Sequence, residues 1–187
     1  MITALDTNTA LVLIDLQNSN LSTPKAHPAE EILDNANKLI AGFRKKGLPI
    51  AVINVNPKDA AWVTSRKEAK QPAFPEDEDA YKVSGKLNVN DEDIRITKHT
   101  WNAFFETELH DELKKRSVTG IILAGISTSI GVEGTARAAS ELGYNISFAL
   151  DAMTDVQKTA HERSIQFIFP RIGETGSTQE IIEMLNT

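Results

Sequence analysis

LAGISTSIGVEGTARAASELGYN, residues 123–145, changes character twice. The apolar run that enters it ends at Gly125, a Ser/Thr-rich turn follows, and a helix opens that closes at Gly143. A buried strand feeding a helix through a short polar turn is a building unit of an α/β protein. In such proteins a nucleophile is usually displayed at this turn. The residue one turn into the helix is Gly131, which has no side chain.

Working outward, the same alternation recurs. ALVLIDL at 10–16 is a short, β-branched apolar run with one acid, Asp15, near its end, and reads as a strand buried on both faces. HPAEEILDNANKLIAGFRKKG at 27–47 reads as a helix, with Pro28 and acids at its start, bases in its last turn and Gly47 at its close. PIAVINV at 49–55, DIRITK at 93–98, TGIILAG at 119–125 and YNISFAL at 144–150 are further strands, and RIGET at 171–175 a short sixth. FFETELHDELKKRS, SIGVEGTARAASELG and AHERSIQFIF are helical, and STQEIIEML opens on a capping box from Ser177 to Glu180. Strands alternating with helices imply a parallel sheet wrapped by helices. The exception is 56–92, which is polar, carries three prolines and lacks periodicity. So long a connection is either a lid or a solvated excursion.

Composition narrows the function classes. The chain has 187 residues, enough for one domain over 1–187 with a sizeable core. A net charge of −6 and the absence of a clustered basic face argue against nucleic acid. No apolar run approaches the roughly 20 residues of a membrane span, and the N-terminal residues lack the pattern of a signal peptide. Zero cysteines exclude disulfides, thiolate metal sites and a cysteine nucleophile, and make the cytoplasm the default location. His27, His99, His110 and His161 are scattered without ligand spacing, so no metal and no cofactor are expected.

Ligands of open parallel sheets bind outside the carboxyl ends of the strands. Those ends deliver Asp15 with Gln17 and Asn18, then Asn54 and Asn56, then Lys98 with Thr100 and Trp101, then Ser127, Thr128 and the helix start at Gly131. Taken singly, Asp15 could cap a turn and Lys98 could be a solvated strand end. The fold rule puts both at one edge, beside backbone N–H groups of a helix N-terminus that attract anions.

Nearly the whole chain resembles the isochorismatase-like hydrolase superfamily, which also holds nicotinamidases and other amidohydrolases with a cysteine nucleophile. The resemblance is carried by LVLIDLQN at 11–18, ITKHTWNAFFETEL at 96–109, LAGISTSIGVEGTARAASELGY at 123–144 and DAMTD at 151–155. It implies a three-layer, doubly wound, Rossmann-like sandwich of about six parallel strands with helices on both faces. It also implies an Asp–Lys–Cys catalytic set, of which Asp15 and Lys98 match two members and Gly131 replaces the third. The resemblance is therefore to the members lacking the cysteine. It further implies a cis peptide at Ile126–Ser127, a homo-oligomer (dimer or tetramer), and pocket roles for Asn56 of Asn56-Pro57 and for Arg66. The metal-binding histidines that nicotinamidases carry after the second strand are not present in NVNPKDAAW.

The implied chemistry is acid catalysis without a covalent intermediate. The substrate is a small anionic metabolite such as isochorismate, whose vinyl ether needs a proton rather than a thiolate. Asp15 in its acid form would protonate the methylene carbon, and Lys98 would orient Asp15 and hold a carboxylate. Gln17, Asn56, Arg66, Ser127 and Thr128 would bind substrate, and Trp101 and Phe104 would wall the pocket. Gly131 would leave space for an anion. Burial should raise the Asp15 pKa and Lys98 should lower it, and the sequence leaves the balance open. Two alternatives are a non-cysteine hydrolase of another metabolite and a catalytically silent metabolite binder.

Overall fold

Six parallel strands form one sheet: β1 (Thr9–Ile14), β2 (Ile50–Val55), β3 (Ile94–Lys98), β4 (Gly120–Ile126), β5 (Asn145–Thr154) and β6 (Glu174–Gly176). The structure is a computed structural model and describes residues 2–23, 25–58, 60–69 and 74–187. The strand order is β3-β2-β1-β4-β5-β6, so the winding direction reverses between β1 and β4. The crevice at such a reversal is where doubly wound sheets bind ligands.

Both faces are covered, and the inner strands β1 and β4 are buried at every position. On one face, Ala10, Val12 and Ile14 of β1 pack with α3 (Leu109–Lys115), α4 (Glu133–Glu141) and Phe169 of α6 (Phe169–Ile172). On the other, Leu11 and Leu13 pack with α2 (Ala29–Lys45) and with Ile181 of α7 (Thr178–Leu185). Helix α2 buries Ile32, Leu33, Ala36, Leu39, Ile40 and Phe43, the three-and-four spacing of one helix face. Its acids Glu30 and Glu31 and bases Arg44 and Lys45 lie at the ends where they oppose the helix dipole. The capping box between Ser177 and Glu180 is formed. The remaining helices are α1 (Asn18–Leu21) and α5 (Lys158–Arg163).

Local structure departs from the sequence reading in three places. Strand β5 runs four residues further than 150, because its first part pairs with β6 and its last part returns to β4, with a register shift between Leu123 and Gly125. The helix after Gly125 opens as a π-helical turn, Thr128–Val132, and another, Ser164–Ile168, follows α5. The helix expected from Phe104 begins only at Leu109. Gly125 itself is required where it stands: with φ at 126°, a Cβ there would lie 2.0 Å from the Ile14 carbonyl oxygen.

The 56–92 excursion divides into unlike parts, with residues 59 and 70–73 outside the described residues. Its later part is sewn to the chain after β1. The Asn18 amide donates to the Lys82 carbonyl, the Ser84 amide donates to that of Leu16, and Leu87 is buried in the second core. Its earlier part carries a short 3-10 turn, Ala61–Thr64, fastened by the Trp62 indole N–H donating to the His99 carbonyl at 2.6 Å.

Candidate active site

Strand parity explains Lys98. Ile94, Ile96 and Lys98 alternate onto one buried face of β3, the face that α3 and α4 cover. Lys98 is 1% exposed. Parity alone would send Asp15 the other way, with Leu11 and Leu13. Asp15 escapes this by taking φ of +51°, a left-handed conformation uncommon for a residue with a side chain. The chain turns out of the sheet there, with the Asp15 amide still donating to the Ile53 carbonyl at 2.9 Å. The result is a buried ion pair, with Lys98 Nζ 2.8 Å from Asp15 Oδ2. Lys98 Nζ also donates to the Trp101 carbonyl at 2.7 Å. Asp15 Oδ1 has no hydrogen-bond partner among the described residues.

Burial pushes the Asp15 carboxyl up to about 6, although the charge and hydrogen bond of Lys98 pull it down. Desolvation therefore wins the contest that the sequence left open. A carboxyl poised there can hold or release a proton near neutral pH.

Gly131 closes the group from the side of the π-helical turn. A Cβ added to it would lie 3.0 Å from Ile14 Cγ2, 3.1 Å from Asp15 Oδ2 and 3.3 Å from Lys98 Nζ. A side chain at this position would therefore press on the ion pair itself. The helix N-terminus is also less bare than expected. Asp155, buried at the end of β5, accepts from the Ser129 amide at 2.8 Å and the Ser129 hydroxyl at 2.9 Å. The Ile126–Ser127 peptide that leads into the turn is cis.

The other expected residues fall into different places. Gln17 is buried, and its amide is committed to the backbone of β2: the Val55 N–H donates to Oε1 at 2.8 Å, and Nε2 donates to the Val55 carbonyl at 3.0 Å. Asn56 accepts from the Lys58 amide at 3.1 Å in a local turn. Arg66 is exposed on the excursion. The Ser127 carbonyl accepts from the Ile130 and Val132 amides. The Thr128 hydroxyl shares a 2.8 Å hydrogen bond with His161 Nδ1, and the His161 ring lies 4.7 Å from that of His27. Trp101 supplies its carbonyl, while its side chain is 55% exposed. The Phe104 ring stacks on Tyr144 at 5.7 Å and meets His110 edge-on, and Tyr144 stands just before β5, at the end of the sheet opposite Asp15.

Asp155 and His161 escaped the sequence reading as site residues. The available signal is an acid directly after a strand, the same pattern that singles out Asp15, hidden because the continuous apolar run of β5 ends at residue 150 while the strand goes on to Thr154. Among the described residues, no group of three or more His, Cys, Asp or Glu stands together as a metal site. No described helix is long and apolar enough to cross a membrane.

A doubly wound parallel sheet with a buried carboxyl–ammonium pair at its switch point is the framework of an α/β enzyme. A profile of the isochorismatase domain matches residues 9–180. The chain is 39% identical over 180 residues to the isochorismatase family protein YecD of Escherichia coli O157:H7, across 95% of this chain and 96% of that one. It is 38% identical over 188 residues to YwoC of Bacillus subtilis (strain 168), across 95% and 94%. A solved isochorismatase family protein from Burkholderia thailandensis superimposes over the whole of both chains with a TM-score of 0.93 at 32% identity. The chain belongs to the isochorismatase family of hydrolases, and with no cysteine in its sequence it is a cysteine-independent member.

Proposed function

We propose that this protein hydrolyses the vinyl ether of isochorismate, or of a closely related small anionic metabolite, by acid catalysis and releases pyruvate. The observation that carries this reading is the Asp15 carboxyl, buried, raised to about 6 and standing in a chain without a cysteine. Asp15 gives its proton to the methylene carbon of the enolpyruvyl group, and an oxocarbenium ion forms. Water adds to that ion and returns a proton to the Asp15 carboxylate. The hemiketal collapses to pyruvate and an alcohol. Lys98 holds Asp15 in place through Oδ2 and presents its charge to the substrate carboxylate. Gly131 lets the pair sit directly against the helix backbone. Gln17 acts through the end of β2 rather than on substrate. Asn56, Arg66, Trp101, Ser127 and Thr128 complete the surroundings, with 56–92 as the cover of a single domain over 1–187.

We further infer a cytoplasmic, metal-independent homo-oligomer, a dimer or tetramer. The absence of cysteine supports the compartment, and the exposed Phe167 supports the assembly. The test is incubation with isochorismate and an assay for pyruvate. Stoichiometric pyruvate release is expected. Its absence with folded protein would leave hydrolysis of another metabolite, or binding without turnover.

A further inference from the structure

We propose that a monocarboxylate enters the Asp15–Lys98 site together with one proton, which Asp15 then holds at Oδ1. This rests on the hydrolytic reading above and deepens it by fixing the charge of the bound complex. The Lys98 ammonium has three N–H donors, and its two acceptors among the described residues are Asp15 Oδ2 and the Trp101 carbonyl. One donor remains for a ligand. Oδ2 is held by Lys98, whereas Oδ1 is buried and without a partner among the described residues. A proton that neutralises Asp15 therefore belongs on Oδ1.

The pair sets its own charge balance. Lys98, from β3, is the ionisable group that acts on Asp15. The turn before α4 presents Gly131, β1 presents Ile14, and the backbone contact from β2 is the Ile53 carbonyl. With Asp15 ionised, the pair is neutral and offers one donor and one acceptor. A carboxylate on the remaining Lys98 N–H would then face the unpartnered Oδ1 across a desolvated site, and two carboxylates so placed cannot both stay ionised. With a proton on Oδ1 the pair carries one net positive charge and offers two donors, which match the two oxygens of a carboxylate. No covalent bond changes: the proton comes from solvent on binding and returns on release. The substrate's own charge thus restores the acid at a pH where the free site has largely lost it.

Isothermal titration of pyruvate at about pH 7, in two buffers of different ionisation enthalpy, reads the protons taken up per pyruvate bound. We expect uptake approaching one proton, and a Kd that weakens about tenfold per pH unit above about 6. Asp15→Asn should bind with no uptake and a flat pH profile. The two-buffer result on the unaltered protein stands alone if the variant fails to fold. Binding without uptake, uptake undiminished in Asp15→Asn, or no pyruvate binding between about pH 5 and 8 overturns the proposal. Pyruvate release from isochorismate without proton-linked binding sinks this proposal alone. Proton-linked binding without that release sinks the hydrolytic reading alone.

Discussion

Burial and the Lys98 ammonium act on the Asp15 carboxyl in opposite directions, and burial prevails, moving it from the ordinary 3.8 to about 6. The folded chain consequently binds this proton more tightly than the unfolded chain. The stability carried by the group is full below about pH 4 and is lost as pH rises through about 6, with a slope of at most about 1.4 kcal/mol per pH unit. Asp15→Asn keeps the shape and removes the titration. Urea melts across this window should show the unaltered protein losing stability, relative to the variant, as pH rises. Parallel curves would mean that Asp15 is not raised. The same variant should lower turnover by the ~10²–10⁴ typical of general acid–base catalysis. Part of any loss of fold stability comes from leaving the buried Lys98 without its carboxylate, so rate and melting temperature must be measured together. Gly131 belongs at this scale as well. Its missing Cβ is what allows Ile14, Asp15 and Lys98 to pack this closely against it, so the glycine fits the pair.

The π-helical turn Thr128–Val132 is held from below by two elements. Asp155, after β5, grips Ser129 through two hydrogen bonds and also accepts from the Gln157 amide at 3.3 Å. His161, on α5, holds the Thr128 hydroxyl, and burial with His27 beside it keeps that imidazole below its usual value. One turn on, the buried Glu133 takes Arg137 at 2.8 Å, Arg163 at 3.2 Å and the Ser164 hydroxyl at 2.6 Å, tying α4 to the helix that follows β5. The turn that carries Gly131 is thus placed by β5 and α5 as much as by β4. Asp155→Ala strands the Ser129 and Gln157 amides, and each unmade bond to a carboxylate is worth ~1.5–3 kcal/mol. We expect a lower melting temperature and at least a tenfold lower kcat/KM, with Asp155→Asn recovering part of both by accepting from the Ser129 amide. Unchanged melting and turnover in Asp155→Ala would show that the turn holds itself.

Across the molecule, large apolar residues remain exposed at the surface, among them Trp101, Phe105, Ile130 and Phe167. Helix α7 uses its apolar face internally. Ile181 is buried, and Ile182 and Leu185 lie beside Gly42 of α2. The segment around Phe167, 59% exposed, is the face proposed here to meet a second copy. Light scattering at micromolar concentration should give a dimer or tetramer, and Phe167→Ser should shift it toward monomer. A monomer from the unaltered chain would end the assembly proposal.

The continuous apolar runs, the helix punctuation and the acids and bases at helix ends were enough to set the elements, the parallel sheet and the edge at which Asp15 and Lys98 meet. These features depend on neighbours a few residues apart, which a linear reading can weigh. Phe104, the inner commitment of Gln17, the grip of Asp155 and the close fit of Gly131 were not legible in that way. Each depends on a residue tens of positions distant, brought near by the winding of the sheet. Strand parity would even have placed Asp15 on the wrong face, and its left-handed backbone overrides that parity. Whether its carboxyl stays charged beside Lys98 was likewise decided by burial, which exists only once the chain has folded around it.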